Sequence, residues 1–142
     1  MKAYQPENTT VIICAAGMGT RLGIGTTKAL VDIDGTPLIL RQLELLKDYD
    51  DIRIVVGFQA ERLITVVKEY RDDVMFCFNY QYETTGVADS LRKGLLTARE
   101  YILSLDGDIL TISVYNDYNA GNKHYDISNA NDYTGNLVRN PE

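Results

Sequence analysis

Val11-Ile12-Ile13-Cys14-Ala15-Ala16-Gly17-Met18-Gly19-Thr20-Arg21-Leu22 is the stretch on which the fold turns. Its first half is a short apolar run, the signature of a strand buried on both faces. Its second half is a tight loop, in which Gly17 and Gly19 are expected to allow positive φ and close backbone approach to a ligand. Successive backbone N–H groups in such a loop make a nest for anions. Thr20 adds a hydroxyl, Arg21 a forked cation and, six residues past Leu22, Lys28 a point charge. Together these are the means of holding a polyphosphate. The loop is not a P-loop, because G-x-x-x-x-G-K-[ST] is absent. It is not the dinucleotide fingerprint either, because Leu22 stands where a third glycine belongs.

Working outward, apolar periodicity alternates between strand and helix. Residues 9–14 read as a strand. Leu30-Val31-Asp32-Ile33-Asp34 alternates and runs into the turn signal Asp34-Gly35. Thr36 is expected to cap the next helix, with Pro37 at its first position and Leu38, Ile39, Leu43, Leu46 and Tyr49 facing inward. Ile52-Arg53-Ile54-Val55-Val56-Gly57 reads as a strand. Residues 60–70 read as a helix with Leu63, Val67 and Tyr70 inward, and Val74-Met75-Phe76-Cys77-Phe78 as an apolar strand. Residues 87–98 read as a helix burying Val87, Leu91, Leu95 and Ala98, in which Gly94 costs about 1 kcal/mol relative to alanine. Tyr101-Ile102-Leu103-Ser104-Leu105 is the fourth core strand. Such alternation implies βαβ units, a mainly parallel sheet and a Rossmann-like three-layer α/β/α architecture. Ligands bind such sheets at the carboxyl ends of the strands. The glycine loop and Asp106-Gly107-Asp108 both fall on that edge.

The signature Ala15-Ala16-Gly17-Met18-Gly19-Thr20-Arg21-Leu22, followed by Lys28-Ala29-Leu30-Val31 and Asp34-Gly35-Thr36-Pro37-Leu38, resembles the opening of the nucleotidyltransferases of the sugar-1-phosphate pyrophosphorylase, phosphocholine cytidylyltransferase and MobA-like type. The likeness continues through Val55-Val56-Gly57-Phe58, Tyr82-Glu83-Thr84-Thr85-Gly86, Asp89-Ser90-Leu91 and Leu105-Asp106-Gly107-Asp108, covering roughly residues 9 to 110. It implies a GT-A-like nucleotidyltransferase core and transfer of a nucleoside monophosphate from an NTP to a small phosphorylated acceptor, with release of pyrophosphate. The short spacing from Arg21 to Lys28 is that of the phosphocholine and small sugar-phosphate enzymes. By the family's pattern, backbone at Ala15, Ala16, Gly17, Met18 and Gly19 would wrap the nucleotide. Thr20 and Arg21 would meet its terminal phosphates, and Lys28 would reach the α-phosphate. Thr85 and Gly86 fall where the family reads the base; Thr-Asn is common there, and this chain has Thr-Gly. Ser90 would bond nucleotide or acceptor. Asp89 is either part of that segment or a first-turn acid favoured by the helix dipole. Asp108 would ligate Mg²⁺, and Asp106 would position the loop or touch the ribose. The family commonly carries proline before the lysine, where this chain has Thr27. A second metal carboxylate has no evident counterpart. The alternative readings are a nucleotide-binding domain without turnover, or a segment completed by another chain.

Composition is consistent with this. The chain has 142 residues, 45% of them apolar and 24% charged, enough for one domain. Net charge is −6, which argues against nucleic acid as a partner but not against a nucleotide held locally. No apolar run approaches the ~18 residues of a membrane span, and residues 1–8 lack a signal-peptide core. A cytoplasmic location, no membrane partner and a small-molecule substrate pair are therefore expected, with a homo-oligomer left open. Cys14 and Cys77 read as reduced core thiols, and His124 has no assigned role. From Thr111 onward lie 32 residues with seven Asn, four Tyr and three Asp, where Ile112-Ser113-Val114-Tyr115 is the strand candidate. This tail looks diverged or cut short beside the family, so the chain is expected to be one domain with its core at about 9–110.

Overall fold

Four parallel strands carry the molecule, three of them buried and the fourth, at the edge, partly exposed. The structure, a computed structural model, describes the backbone of residues 4–17, 27–106, 113–116, 123–126 and 135–139, and the side chains of residues 4–17, 27–86 and 89–105. β1 (Thr9–Cys14) is followed by a 3-10 turn at Lys28–Leu30, a small hairpin of β2 (Asp32–Ile33) and β3 (Thr36–Pro37), and α1 (Leu38–Leu45). Then come β4 (Ile52–Val56), α2 (Ala60–Tyr70), β5 (Met75–Phe78), α3 (Val87–Gly94) and β6 (Tyr101–Asp106). The main sheet has the order β5-β4-β1-β6-β9, where β9 is Gly135–Arg139. β5, β4, β1 and β6 run parallel to one another, and β9 pairs antiparallel with β6. β7 (Ser113–Asn116) and β8 (Lys123–Asp126) form a separate antiparallel pair.

Strand periodicity divides the core between two faces. Val11 and Ile13 of β1, Ile52, Ile54 and Val56 of β4, and Leu103 and Leu105 of β6 pack with Ile39 and Leu43 of α1 and Leu63 and Val67 of α2. The intervening residues Ile12, Val55 and Ile102 point to the other face, where Leu91, Leu95 and Ala98 cover them. This is the expected α/β/α sandwich. The chain steps outward from β1 to β4 to β5, then reverses and crosses to the far side of β1 as β6. With right-handed crossovers, that reversal puts α3 on the face opposite α1 and α2. It also opens a crevice between the carboxyl ends of β1 and β6, the place where such sheets bind ligands.

Several local expectations need correcting. Asp34 and Gly35 do form the tight turn, with φ of 51° and 86°. That turn draws Thr36 and Pro37 into pairing with Ile33 and Asp32, so Thr36 caps nothing. The helix begins at Leu38, whose N–H donates to the Val31 carbonyl at 2.9 Å. Tyr70, expected inward, is 50% exposed, because it ends α2 where extended Arg71 leads the chain away. The helix expected over 87–98 stops at Gly94. A Cβ there would lie 2.8 Å from Ile12 Cγ2, so this glycine lets α3 sit close on β1 and is more than a weak point of the helix. Cys14 and Cys77 are not joined in a disulfide and are only half buried. In the tail, β9 had no sequence signal; Gly135-Asn136-Leu137-Val138-Arg139 is a strand because β6 offers it a partner. Among the described residues, no helix is long and apolar enough to cross a membrane.

Candidate functional site

The crevice is built from four strand ends. β1 delivers Ala15 and Ala16, both buried, to its carboxyl end. The Ala15 N–H donates to the Val55 carbonyl at 2.9 Å, which prolongs the ladder one residue past the strand. The Ala16 carbonyl accepts the Phe58 N–H at 3.1 Å. Gly17 follows as an exposed bend with nothing within 4 Å of where a Cβ would stand. Its φ lies outside the left-handed region, contrary to expectation, so open space rather than torsion is what glycine provides there. Met18, Gly19, Thr20 and Arg21 lie outside the described residues.

Lys28 is half buried at the start of its 3-10 turn. The preceding Thr27 is 1% exposed, and its N–H donates to Gln59 Oε1 at 2.9 Å. Gln59 itself sits in the left-handed region, at φ 55° and ψ 35°, and opens α2. Thus the turn after β4 meets the chain both where it leaves β1 and where it arrives at Lys28.

Asn79, which follows the last residue of β5, is 1% exposed. Its amide donates to Thr85 Oγ1 at 2.9 Å and to Ser90 Oγ at 3.2 Å, while Oδ1 accepts the Gln81 N–H at 3.1 Å. One buried side chain thereby fixes the turn 79–85 against the first turns of α3. Thr85 spends its hydroxyl hydrogen and its N–H on the Gln81 carbonyl, at 2.8 and 3.1 Å. Gly86 is exposed, extended (φ −102°, ψ −170°) and has open space around it. Its N–H meets Asp89 Oδ2 at 3.4 Å, and Asp89 also lies 3.6 Å from Arg92. Asp89 therefore acts as a first-turn acid of α3. Tyr82 packs over Gly57: a Cβ on that glycine would lie 2.8 Å from Tyr82 Cβ and 2.9 Å from the Asn79 carbonyl oxygen.

β6 completes the crevice. Asp106, its last residue, is in register with Cys14 of β1, so the acidic segment and the glycine loop leave adjacent strands at the same level. Asp108 lies outside the described residues. Among the described residues, no three His, Cys, Asp or Glu side chains converge as a metal cluster.

Sequence reasoning missed Gln59 and Asn79. Each had a weak signal. Asn79 is a polar residue closing an apolar strand, and Gln59 follows a glycine at a strand end. Neither reveals its partner, because Thr27 lies 32 residues away from Gln59 and Ser90 lies 11 from Asn79.

Residues 11–115 match the family model described as the MobA-like NTP transferase domain. The choline-phosphate cytidylyltransferase of Streptococcus pneumoniae is 42% identical over 76 residues, which is 50% of this chain and 32% of that protein. The bifunctional protein GlmU of Sulfurovum sp. is 32% identical over 101 residues, 70% of this chain and 23% of that protein. Among solved structures, the CTP:phosphocholine cytidylyltransferase of S. pneumoniae superposes with a TM-score of 0.62 at 32% identity, over 76% of this chain and 54% of that one. The chain thus spans a third or less of these curated relatives and about half of that structure.

Proposed function

The chain belongs to the MobA-like NTP transferase domain family, and from that premise we propose that it binds an NTP with Mg²⁺ and transfers the nucleoside monophosphate to a small phosphorylated acceptor, releasing pyrophosphate. The observation that supports this reading is the register of β1 with β6, in which Cys14, the strand residue that leads toward the glycine loop, stands opposite Asp106 at the point where the sheet order reverses.

The chemistry asks for alignment and charge neutralisation. An acceptor phosphate is already anionic, so its oxygen attacks the α-phosphorus without a proton-abstracting base. Backbone of Ala15, Ala16, Gly17, Met18 and Gly19 would wrap the nucleotide, with Thr20 and Arg21 on its β- and γ-phosphates. Lys28 would meet the α-phosphate and the charge that grows there as the bond to pyrophosphate breaks. Thr85 and Gly86 would flank the base, the first by shaping its turn and the second by leaving room. The donor chemistry at the end of β6 suits a hard divalent cation, since Mg²⁺ takes one or two carboxylates and completes its shell with phosphate and water oxygens. Asp108 would hold it, with Asp106 beside it, and the ion would neutralise the phosphate oxygens. The pneumococcal relative makes CTP with phosphocholine the first pair to try, followed by sugar phosphates.

The test is a thermal-shift screen of CTP, UTP, GTP, ATP and dTTP, each with and without Mg²⁺, then pyrophosphate release with candidate acceptors. A Mg²⁺-dependent rise with one nucleotide is expected, since binding to the folded state stabilises by mass action. Lys28→Ala should lower turnover about 100-fold or more, the scale on which removing one transition-state donor acts. No shift with any nucleotide would overturn the reading, and a shift without pyrophosphate would leave binding without transfer.

A further inference from the structure

The turn Gly57-Phe58-Gln59 touches both ends of the segment that joins Gly17 to Thr27. Phe58 donates its N–H to Ala16 where the chain leaves β1, and Gln59 accepts the Thr27 N–H where it returns, one residue before Lys28. The same turn carries the contact with Tyr82 and Asn79 through Gly57. We infer that this turn is a clamp that ties the chain where it leaves β1 to the chain where it arrives at Lys28, and that Gln59 is a positioning residue for Lys28.

Three features support this. First, Thr27 has φ −63° and ψ 141°, extended backbone whose φ is the one a proline ring would fix. Threonine leaves that torsion free, and the bond from its N–H to Gln59 is the restraint the fold supplies. Second, Thr27 is buried, so breaking that bond leaves an N–H without ready access to water. Third, Gln59 pays a backbone cost to be where it is. Its φ of 55° is left-handed, a region that non-glycine residues enter when the surroundings over-determine it. The turn's own bonds, Ala60 N–H to the Gly57 carbonyl at 3.2 Å and Leu63 N–H to the Gln59 carbonyl at 3.2 Å, start α2 through backbone groups, while the Gln59 side-chain oxygen accepts from Thr27.

The Lys28 role rests on the nucleotide reading above, whereas the clamp rests on backbone geometry alone, and the experiment separates them. Amide hydrogen exchange is measured on the full chain for wild type, Gln59→Ala and Gln59→Glu. Alanine keeps the Cβ and so the same backbone strain. Thr27 should be protected in wild type, lose about five-fold or more in Gln59→Ala, the worth of one neutral hydrogen bond, and keep protection in Gln59→Glu, which retains an acceptor. Free exchange of Thr27 in wild type, or unchanged exchange in Gln59→Ala, overturns the clamp.

The second arm uses whichever Mg²⁺–NTP shifts wild type. Gln59→Ala should lower turnover about five-fold while nucleotide affinity changes less, because Lys28 is assigned to charge that grows in the transition state. Adding Thr27→Pro to Gln59→Ala should restore turnover to within about two-fold, since the ring restrains covalently what the hydrogen bond restrained before. Loss in Gln59→Ala without rescue by proline would mean that Gln59 serves only α2, and would overturn its positioning role. No binding by wild type would remove the Lys28 role together with the nucleotide reading, while the exchange rates would still decide the clamp.

Discussion

The two edges of the parallel sheet are held by different forces. At the amino-terminal edge, charge is pinned to charge. Arg53, 5% exposed, lies 3.2 Å from Asp51 and donates to the carbonyls of Gly94, Leu96 and Thr97, so it closes the end of α3. Asp51 also accepts from Thr10, and Arg99 pairs with Asp50 at 2.5 Å. Tyr4 packs edge-on against Tyr101 and shares a hydrogen bond with the Tyr49 hydroxyl; burial pushes both phenols up. At the carboxyl edge, the described joints that tie one strand end or turn to another pair neutral groups: Phe58 to Ala16, Thr27 to Gln59, Asn79 to Thr85 and Ser90; the exposed Asp89–Arg92 pair is local to α3. The difference suits a polyphosphate site. A cation bound in a fixed ion pair is already neutralised, whereas amides and hydroxyls hold a loop in shape without competing for an anion.

Arg53→Ala should test the first edge most severely. It takes from Asp51 its nearer cation, leaving Arg99 at 3.7 Å and the Thr10 hydroxyl, and strips three carbonyls at the end of α3 of their donor, a change worth about 3 kcal/mol of stability. Urea unfolding measures this, and Mg²⁺–nucleotide affinity of the folded fraction should be unchanged. A drop in affinity as large as the drop in stability would erase the contrast between the edges.

Gly57→Ala tests the second edge. The new Cβ meets Tyr82 and the Asn79 carbonyl, so overpacking should cost about 1–3 kcal/mol. Here nucleotide affinity should fall as well, because the turns at 57–59 and 79–85 are pushed apart. Calorimetric titration beside urea unfolding decides it, and affinity equal to wild type would uncouple the two turns.

The smallest effect concerns acid. The hydrogen bond from Arg99 holds the Asp50 carboxyl below the usual carboxylate range. A folded-state pKa that is depressed favours folding above the ordinary carboxylate value, near about 3.9, and the contribution is lost as pH falls through the lower folded value. Asp50 is exposed, so the effect is small and screened by salt. Stability curves of wild type and Asp50→Asn should therefore differ slightly at neutral pH and converge below about pH 4. Parallel curves would show that this pair contributes nothing.

Much of the fold was legible because buried strands and amphipathic helices carry their periods locally. Val11-Ile12-Ile13, Ile52–Val56 and the Leu63/Val67 pair of α2 sit where the pattern put them. What failed did so at joints. Thr36 was drawn from a cap into a hairpin, Gly94 is set by the distance to Ile12, and β9 exists because β6 has a free side. In the site, glycines and charges led to the expectation of a phosphate loop, whereas Gln59 and Asn79, which tie the neighbouring turns, carried only weak signals.

By itself the sequence determined the layered α/β class, the order of the strands' chemistry and the family, since each rests on local periodicity and motifs in register. Tertiary structure alone decided which edge of the sheet is tied by charge and which by neutral hydrogen bonds. It also decided that the buried Thr27 N–H finds its acceptor in Gln59. Those partners are far apart in the chain, and a hydrogen bond between them leaves no period or motif to read; it exists only once the sheet has brought the two turns together.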